Sequence, residues 1–357
     1  MAPRTGYRTS VNAPTDHSIA PTDQDRSDTS QTGGSPAVRA EALTKAFDAD
    51  PVVIDLDFEI TDGSIVGLIG PSGCGKTTTV RLLAGLLAPT SGTAEVHGTT
   101  STELSASQRS NIGYLPQAPA LFPDLSLLEN LHFHASMYGM PFRRKGHLRT
   151  LLDWVELDDD RGKRVSEVSG GMKRRLALAA AFVHAPRLVF LDEPTAGIDP
   201  ILRDKFWQEF RMLGDDGRTL VVTTQYMGEA AYCDYVGLLS DGELLMLDTP
   251  DNLRRAAFDG EVIDITLTRP ASDAELAQIS ALPIVVGSAE RISHDVVRIV
   301  VDDAGRALAD LSAPMERIGL EVEEAAEHIV NYDEAFVRVV ERHRELRNSG
   351  DDRTGTD

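Results

Sequence analysis

Apolar positions along this chain change their spacing several times, and each change marks an element. Residues 37–43 and 52–60 alternate apolar with polar, the period of half-buried strands, and the first of them reads as an edge strand. A continuous apolar run at 65–69 follows the turn Thr61-Asp62-Gly63, and helical spacing takes over at 78–85. A turn and strand come next at 90–98, then a strand at 111–117 that ends on the polar Gln117. From 121 to 185 helical spacing dominates, as at 127–134 and 148–155, so a helical insertion interrupts an α/β core. Two further stretches, 188–194 and 219–225, read as buried strands that end on polar residues. Asp241-Gly242, inside residues 236–246, predicts a hairpin, after which the core closes near residue 260. Strands at 262–267 and 296–301, with helices at 273–282 and 305–318, then predict a small α+β domain.

Composition sets limits on this picture. Residues 1–36 are rich in Thr, Ser, Pro, Asp and Gly and read as a disordered leader, because they cannot bury enough apolar surface to offset the entropy of ordering. Residues 346–357 read as a charged, disordered tail. The chain has 357 residues and is 41% hydrophobic, enough for a large domain over 37–260 and a smaller one over 261–345. A formal net charge of −21 argues against a nucleic-acid partner and suits a solvated cytosolic surface. Cys74 and Cys233 are the only cysteines, the usage of a reducing compartment. No apolar run in the sequence approaches the ~20 residues of a membrane-spanning helix, so any membrane role falls to a partner.

Between the strand at 65–69 and the helix at 78–85 stands Gly70-Pro71-Ser72-Gly73-Cys74-Gly75-Lys76-Thr77, which satisfies G-x-x-x-x-G-K-[ST] at each fixed position. Strand before and helix after are the context in which this motif binds a nucleoside triphosphate. Glycines 70, 73 and 75 let successive N–H groups turn toward phosphates, and the helix end adds positive potential. Lys76 would reach the β- and γ-phosphates, and the Thr77 hydroxyl would ligate Mg²⁺. Cys74 would lie in the cradle as a reactive thiol that nucleotide shields. Val168-Ser169-Gly170-Gly171-Met172 opens a second helix whose N-terminus can face an anion. The strand at 188–191 ends on Asp192 and Glu193, at the mouth of the sheet beside the phosphate loop. Asp192 suits Mg²⁺ coordination through water, and Glu193 suits general-base activation of an attacking water. Phe47, expected in a loop, serves equally as a base-stacking ring or as an ordinary surface or core aromatic. Gln117 alone reads as a solvated glutamine, and His132 and His134 as packing residues without a ligand set.

Taken in order, the phosphate loop, Gln117, Ser169-Gly170-Gly171, Asp192-Glu193 and Asp199 resemble the ATP-binding subunit of an ABC transporter over about residues 37–250. The serine-glycine-glycine signature ahead of the acid strand is the part that other P-loop enzymes lack. The resemblance implies a P-loop ABC-type α/β fold: a RecA-like core, an antiparallel β subdomain, a helical insertion at about 118–185 and a C-terminal accessory domain. It implies ATP and Mg²⁺ as cofactors. Gly70, Pro71, Ser72, Gly73, Cys74, Gly75, Lys76, Thr77 and Thr78 would surround the phosphates, with Phe47 stacked on adenine and Val52 or Val53 beneath the ribose or base. Two copies would pair head to tail, so that Ser169, Gly170 and Gly171 of one complete the site of the other and Asp199 acts across the interface. Thr77, Gln117 and Asp192 would serve the metal, and Glu193, Lys76, Gln117 and Gln225 would carry catalysis. A separate membrane permease, coupled through the Gln117 loop and the helical insertion, would do the exporting. That places the chain in the cytoplasm, peripheral on the inner face of the membrane.

Two positions depart from the family pattern. Met172 stands where glutamine often ends the signature, and Gln225 where histidine usually follows Thr223-Thr224. Glutamine can donate a hydrogen bond but carries no positive charge, so slower hydrolysis is expected. Thr223-Thr224-Gln225-Tyr226-Met227, and the ending Asn331-Tyr332-Asp333-Glu334-Ala335-Phe336, are similar to the daunorubicin-resistance type of exporter subunit in the ABC-2 group. The alternative is a soluble, non-transport ABC ATPase acting on ribosomes or DNA. Its relatives carry two nucleotide-binding domains in one chain or long coiled coils between motifs, and this sequence has neither.

Overall fold

Three sheets organise the chain in a computed structural model that describes residues 36–48 and 50–351. Apart from its last residue, the leader expected at 1–36 lies outside the described residues. β1 (Val38–Phe47) and β2 (Asp50–Ile60) pair antiparallel, and β3 (Ile65–Ile69), buried along its whole length, leads to α1 (Lys76–Leu83). β4 (Ser91–Val96) and β5 (Thr99–Thr100) return to β1, giving a first sheet of order β2-β1-β4-β5. β1 is therefore an interior strand, not the edge strand its alternation suggested. Alternation records one buried face and is silent about lateral neighbours. The strand also continues through Phe47, where a loop was expected. Register shifts between Ala40 and Ala46 absorb the broken alternation before the chain reverses at Asp48, whose φ is 54°.

A short α2 (Ala106–Arg109) precedes β6 (Ile112–Leu115), and α3 (Leu127–Met137), α4 (Lys145–Trp154) and α5 (Gly170–Ala181) form the helical insertion. Leu131, Leu148, Leu152 and Leu176 are fully buried within it, about 1.5–3 kcal/mol of apolar transfer each. β7 (Leu188–Asp192), α6 (Pro200–Asp215), β8 (Thr219–Thr224), a 3₁₀ turn at Met227–Tyr232, β9 (Tyr235–Ser240) and β10 (Glu243–Asp248) complete the second sheet, of order β10-β9-β3-β8-β7-β6. β9, β3, β8, β7 and β6 run parallel, and β10 joins β9 antiparallel. Burial on both faces is why β3, β7 and β8 read as unbroken apolar runs. Asp241 and Gly242 have φ of 51° and 86°, the left-handed pair that a two-residue hairpin turn requires.

α7 (Pro250–Phe258) leads to the third sheet: β11 (Glu261–Leu267), α8 (Asp273–Ser280), β12 (Val286–Arg291), β13 (Val296–Val301), α9 (Ala304–Asp310), α10 (Ser312–Ile318) and β14 (Val322–Glu327). The strand order is β12-β13-β11-β14, antiparallel throughout. The single helix expected over 305–318 is two, separated at the buried Leu311. Pro314 falls in the first turn of α10, where a missing N–H removes no helical bond. α11 (Tyr332–Asp351) then turns back and packs on α7, on β10 and on the 3₁₀ turn that follows Gln225. Val330, Tyr332 and Ala335 accordingly join the core of the second sheet and not that of the third. The helix runs into the stretch expected to be tail, of which 352–357 lie outside the described residues. No described helix is long and apolar enough to cross a membrane.

Candidate functional site

β3 ends at Ile69 and α1 begins at Lys76, so the loop between them opens from the middle of the parallel sheet, between β8 and β9. Gly75 has φ 104°, and a Cβ there would come 2.6 Å from the Val52 carbonyl oxygen. Gly70 is needed for a different reason: its φ is ordinary, but a Cβ would lie 2.2 Å from the Leu239 carbonyl oxygen. The buried Lys76 ammonium donates to the carbonyls of Gly70 (2.7 Å) and Pro71 (2.8 Å), inside the turn of the loop.

Cys74 is not the reactive thiol expected in the cradle. Its side chain is buried, packed in a core with Val53, Val80 and Leu239, and burial pushes the thiol up against the opposing pull of Lys76.

Asp192 lies at the end of β7 with both neighbouring hydroxyls on one oxygen. Thr77 Oγ1 donates to Asp192 Oδ1 at 3.0 Å and Thr223 Oγ1 at 2.6 Å. Asp192 is fully buried and its Oδ2 has no hydrogen-bond partner, a costly state for a carboxylate oxygen. A hydroxyl, a carboxylate and the nearby Gln117 amide are hard oxygen donors, and with an orphaned acid oxygen they fit a hydrated Mg²⁺.

Glu193 adopts φ 51°, a left-handed conformation for a residue with a Cβ. Its N–H is pinned to Thr223 through the carbonyl oxygen (3.1 Å) and Oγ1 (3.0 Å). Such backbone costs about 1–3 kcal/mol and gathers at functional sites. Here it brings Glu193 Oε2 to 3.5 Å from Gln117 Nε2. The loop after Gln117 is held from below by Asn130, buried in α3, which exchanges hydrogen bonds with Phe122 (2.8 and 3.1 Å).

One cleft is lined by Val52, Ser72, Gly73, Gly75, Lys76, Thr77, Thr78, Gln117 and Glu193. Gln225, exposed just beyond β8, touches its rim: Ser72 Oγ donates to Gln225 Oε1 at 3.2 Å. Phe47 is not among the lining residues. It is 47% exposed at the end of the β1–β2 hairpin, with the Lys45 ammonium 5.2 Å from its ring centre. Ser169 and Asp199 each cap a helix, accepting from Met172 N (3.3 Å) and Leu202 N (3.0 Å) respectively. Both are exposed, and neither they nor Gly170 and Gly171 line the cleft of their own chain.

Sequence reasoning missed Arg174. It is 5% exposed in α5, and its guanidinium donates to the carbonyls of Pro116 (3.0 Å), Gln117 (2.5 Å), Asp192 and Glu193. Burial pulls its pKa down, while the Asp192 and Glu193 charges oppose the shift. In sequence it is one of three consecutive basic residues, Lys173-Arg174-Arg175, and only the α5 spacing could have pointed it inward. Glu229 was missed as well: it is buried and accepts from Thr195 Oγ1 at 2.7 Å, so it ties the 3₁₀ turn after Gln225 to the loop after Glu193.

A family model described as ABC transporter matches residues 53–196. A probable multidrug ABC transporter ATP-binding protein, YbhF of Escherichia coli K12, is 37% identical over 237 residues, covering 66% of this chain and 41% of that protein. The chain thus spans under half the length of that relative. Daunorubicin resistance ATP-binding protein DrrA3 of Streptomyces coeruleorubidus is 32% identical over 313 residues, 87% of this chain and 98% of that one. Among solved structures, a dimeric ATP-binding cassette in a post-hydrolysis state bound to ADP and Pi superposes with a TM-score of 0.56 at 26% identity, covering 59% of this chain and 98% of that one.

Proposed function

The chain belongs to the family of ABC transporter ATP-binding proteins, and from that footing we propose that it is the ATP-hydrolysing subunit of an exporter, working as a head-to-tail dimer beneath a membrane permease. One observation carries the reading: the phosphate loop, Gln117 and Glu193 share a cleft, while the capped N-terminus of α5 stays exposed outside it. Each chain then holds the phosphates of one nucleotide and offers Ser169, Gly170 and Gly171 to the nucleotide of its partner, with Asp199 nearby across the contact. ATP between two chains favours the closed dimer, and its hydrolysis releases it, because a ligand shifts the equilibrium toward the state it binds better.

The chemistry follows from groups already in position. Lys76, inside the loop, meets the β- and γ-phosphates, and the loop amides and the start of α1 add positive potential. Thr77, Asp192 and Gln117 would hold Mg²⁺, which would supply positive charge to offset the charge developing on the phosphates. Glu193, with its backbone locked, takes the proton of the attacking water, and Gln117, within reach of Glu193, orients that water. Gln225 donates to the γ-phosphate without adding charge. Phe47, at the open end of its hairpin, is free to stack on adenine above Val52. The exposed Phe133, Met137 and Phe142 on and after α3 lie in the helical insertion, where the permease would dock. Relatives named for multidrug and daunorubicin resistance support export as the direction of transport.

The test is ATP turnover by the purified chain together with co-purification from membranes. A chain that neither binds ATP nor brings down a hydrophobic integral-membrane partner overturns the proposal.

A further inference from the structure

We propose that Arg174 is a positioning residue that couples the two nucleotide sites of the dimer, a role that rests on the head-to-tail reading above. α5 has two ends of business close together. Its first turn carries Ser169, Gly170 and Gly171, offered to the partner's nucleotide, and one turn later Arg174 points into its own chain. There a single planar guanidinium spans four carbonyls. Nη1 takes Pro116 and Gln117, at the end of β6, and Nη2 takes Asp192 and Glu193, at the end of β7. These are the backbone positions that carry Gln117 and Glu193, whose side chains meet at 3.5 Å.

A rotation or shift of α5, when its first turn closes on the partner's γ-phosphate, therefore moves both the residue that orients the water and the base that deprotonates it. The link works in reverse as well, because coupling between two binding events is reciprocal. Lysine could not replace it, since an ammonium is a point charge and cannot fork across two strand ends. The neighbouring Arg175 is a natural control. It donates to the Val155 and Glu156 carbonyls (2.9 and 3.3 Å), wholly within the helical insertion, and so touches neither strand end.

The experiment compares the full-length parent, R174M, R174K and R175M for binding of a fluorescent ATP analogue, and for kcat, half-saturation and Hill coefficient of ATP hydrolysis. R174M is expected to bind nucleotide within about twofold of the parent, to lose about tenfold or more in kcat, and to show a Hill coefficient of about 1 where the parent exceeds it. R174K is expected to regain part of kcat without the cooperativity, and R175M to keep both. A folded R174M with parental kcat and Hill coefficient overturns the proposal, as does a fully active parent whose own Hill coefficient is 1. Should R174M fail to fold, an unaltered Hill coefficient in R174K overturns it. The E193Q variant, run on a sizing column with ATP, separates the two readings. If it stays monomeric, the head-to-tail dimer fails and the coupling fails with it; if it dimerises while R174M behaves as the parent, only the role of Arg174 is lost.

Discussion

Ser72 Oγ donates a 3.2 Å hydrogen bond to Gln225 Oε1, joining the loop after β3 to the end of β8 across the rim of the cleft that holds Lys76 and Glu193. Gln225→His puts an ionisable ring at that junction. With an ordinary imidazole pKa of about 6.5, the ring is half protonated near that pH and can add charge toward the γ-phosphate. We expect turnover about threefold to tenfold above the parent at pH 6.5, the gain shrinking as pH rises and the proton is lost. Phosphate release measured from pH 6 to 8 checks this, and a variant no faster than the parent at any pH would show a site rebuilt around glutamine.

Glu193→Gln keeps the size of the side chain and removes the base. ATP binding should persist, kcat should fall by about 10²–10⁴, and an ATP-loaded dimer should accumulate on a sizing column. Parental turnover would remove Glu193 from the role of base.

Lys76→Ala deletes the ammonium that the Gly70 and Pro71 carbonyls hold in the loop. The parent should gain thermal stability in saturating ATP, because a ligand of the native state raises the melting temperature. The variant should lose that gain. An unchanged ATP-induced shift would separate Lys76 from phosphate binding.

Cys74 and Cys233 are both buried, and burial pushes both thiols up. Little thiolate exists at pH 7, so alkylation by N-ethylmaleimide should be slow with or without ATP and become complete only after unfolding. Protection that appears only when ATP is added would return Cys74 to the face of the loop.

Glu275 is held at about 2, first by Arg269, whose guanidinium reaches both carboxylate oxygens, then by the Ser272 N–H and hydroxyl that it caps. A depressed carboxylate pKa adds stability above the unfolded value of about 4.3, and that stability fades as pH falls through the folded value. Glu275→Ala should therefore melt below the parent at pH 7, and the gap should close between pH 4 and pH 2. A gap independent of pH would mean that the charge is not what the site uses.

How much of this was visible in the residues depends on the scale of the contact. The phosphate loop, the acid strand and the Asp241-Gly242 turn are local: each needs particular residue types at fixed spacing, so the sequence shows them directly. The lateral order of strands is not local, which is why β1 looked like an edge. β14, with Glu323, Glu324 and Glu327 exposed, hardly alternates and went unseen as a strand. Cys74 was misjudged because a motif fixes which backbone faces the phosphates and leaves side-chain direction to packing below the loop. Arg174 was hidden for the opposite reason. A basic residue in a basic run reads as surface until its four carbonyl partners, drawn from positions 116, 117, 192 and 193, are seen together.

The return of α11 has a consequence for how the protein is made. Val330, Tyr332 and Ala335 share one apolar core with Val236 and Leu253, and Arg254 and Arg338 stack on Tyr332 and Phe258 at 4.1 and 4.0 Å. A nascent chain meets these partners only after the whole third sheet has been synthesised. The second sheet and its helices therefore wait, with apolar surface beside α7 uncovered, for residues made after the third sheet, and during that interval they are candidates for chaperone binding rather than for ATP hydrolysis.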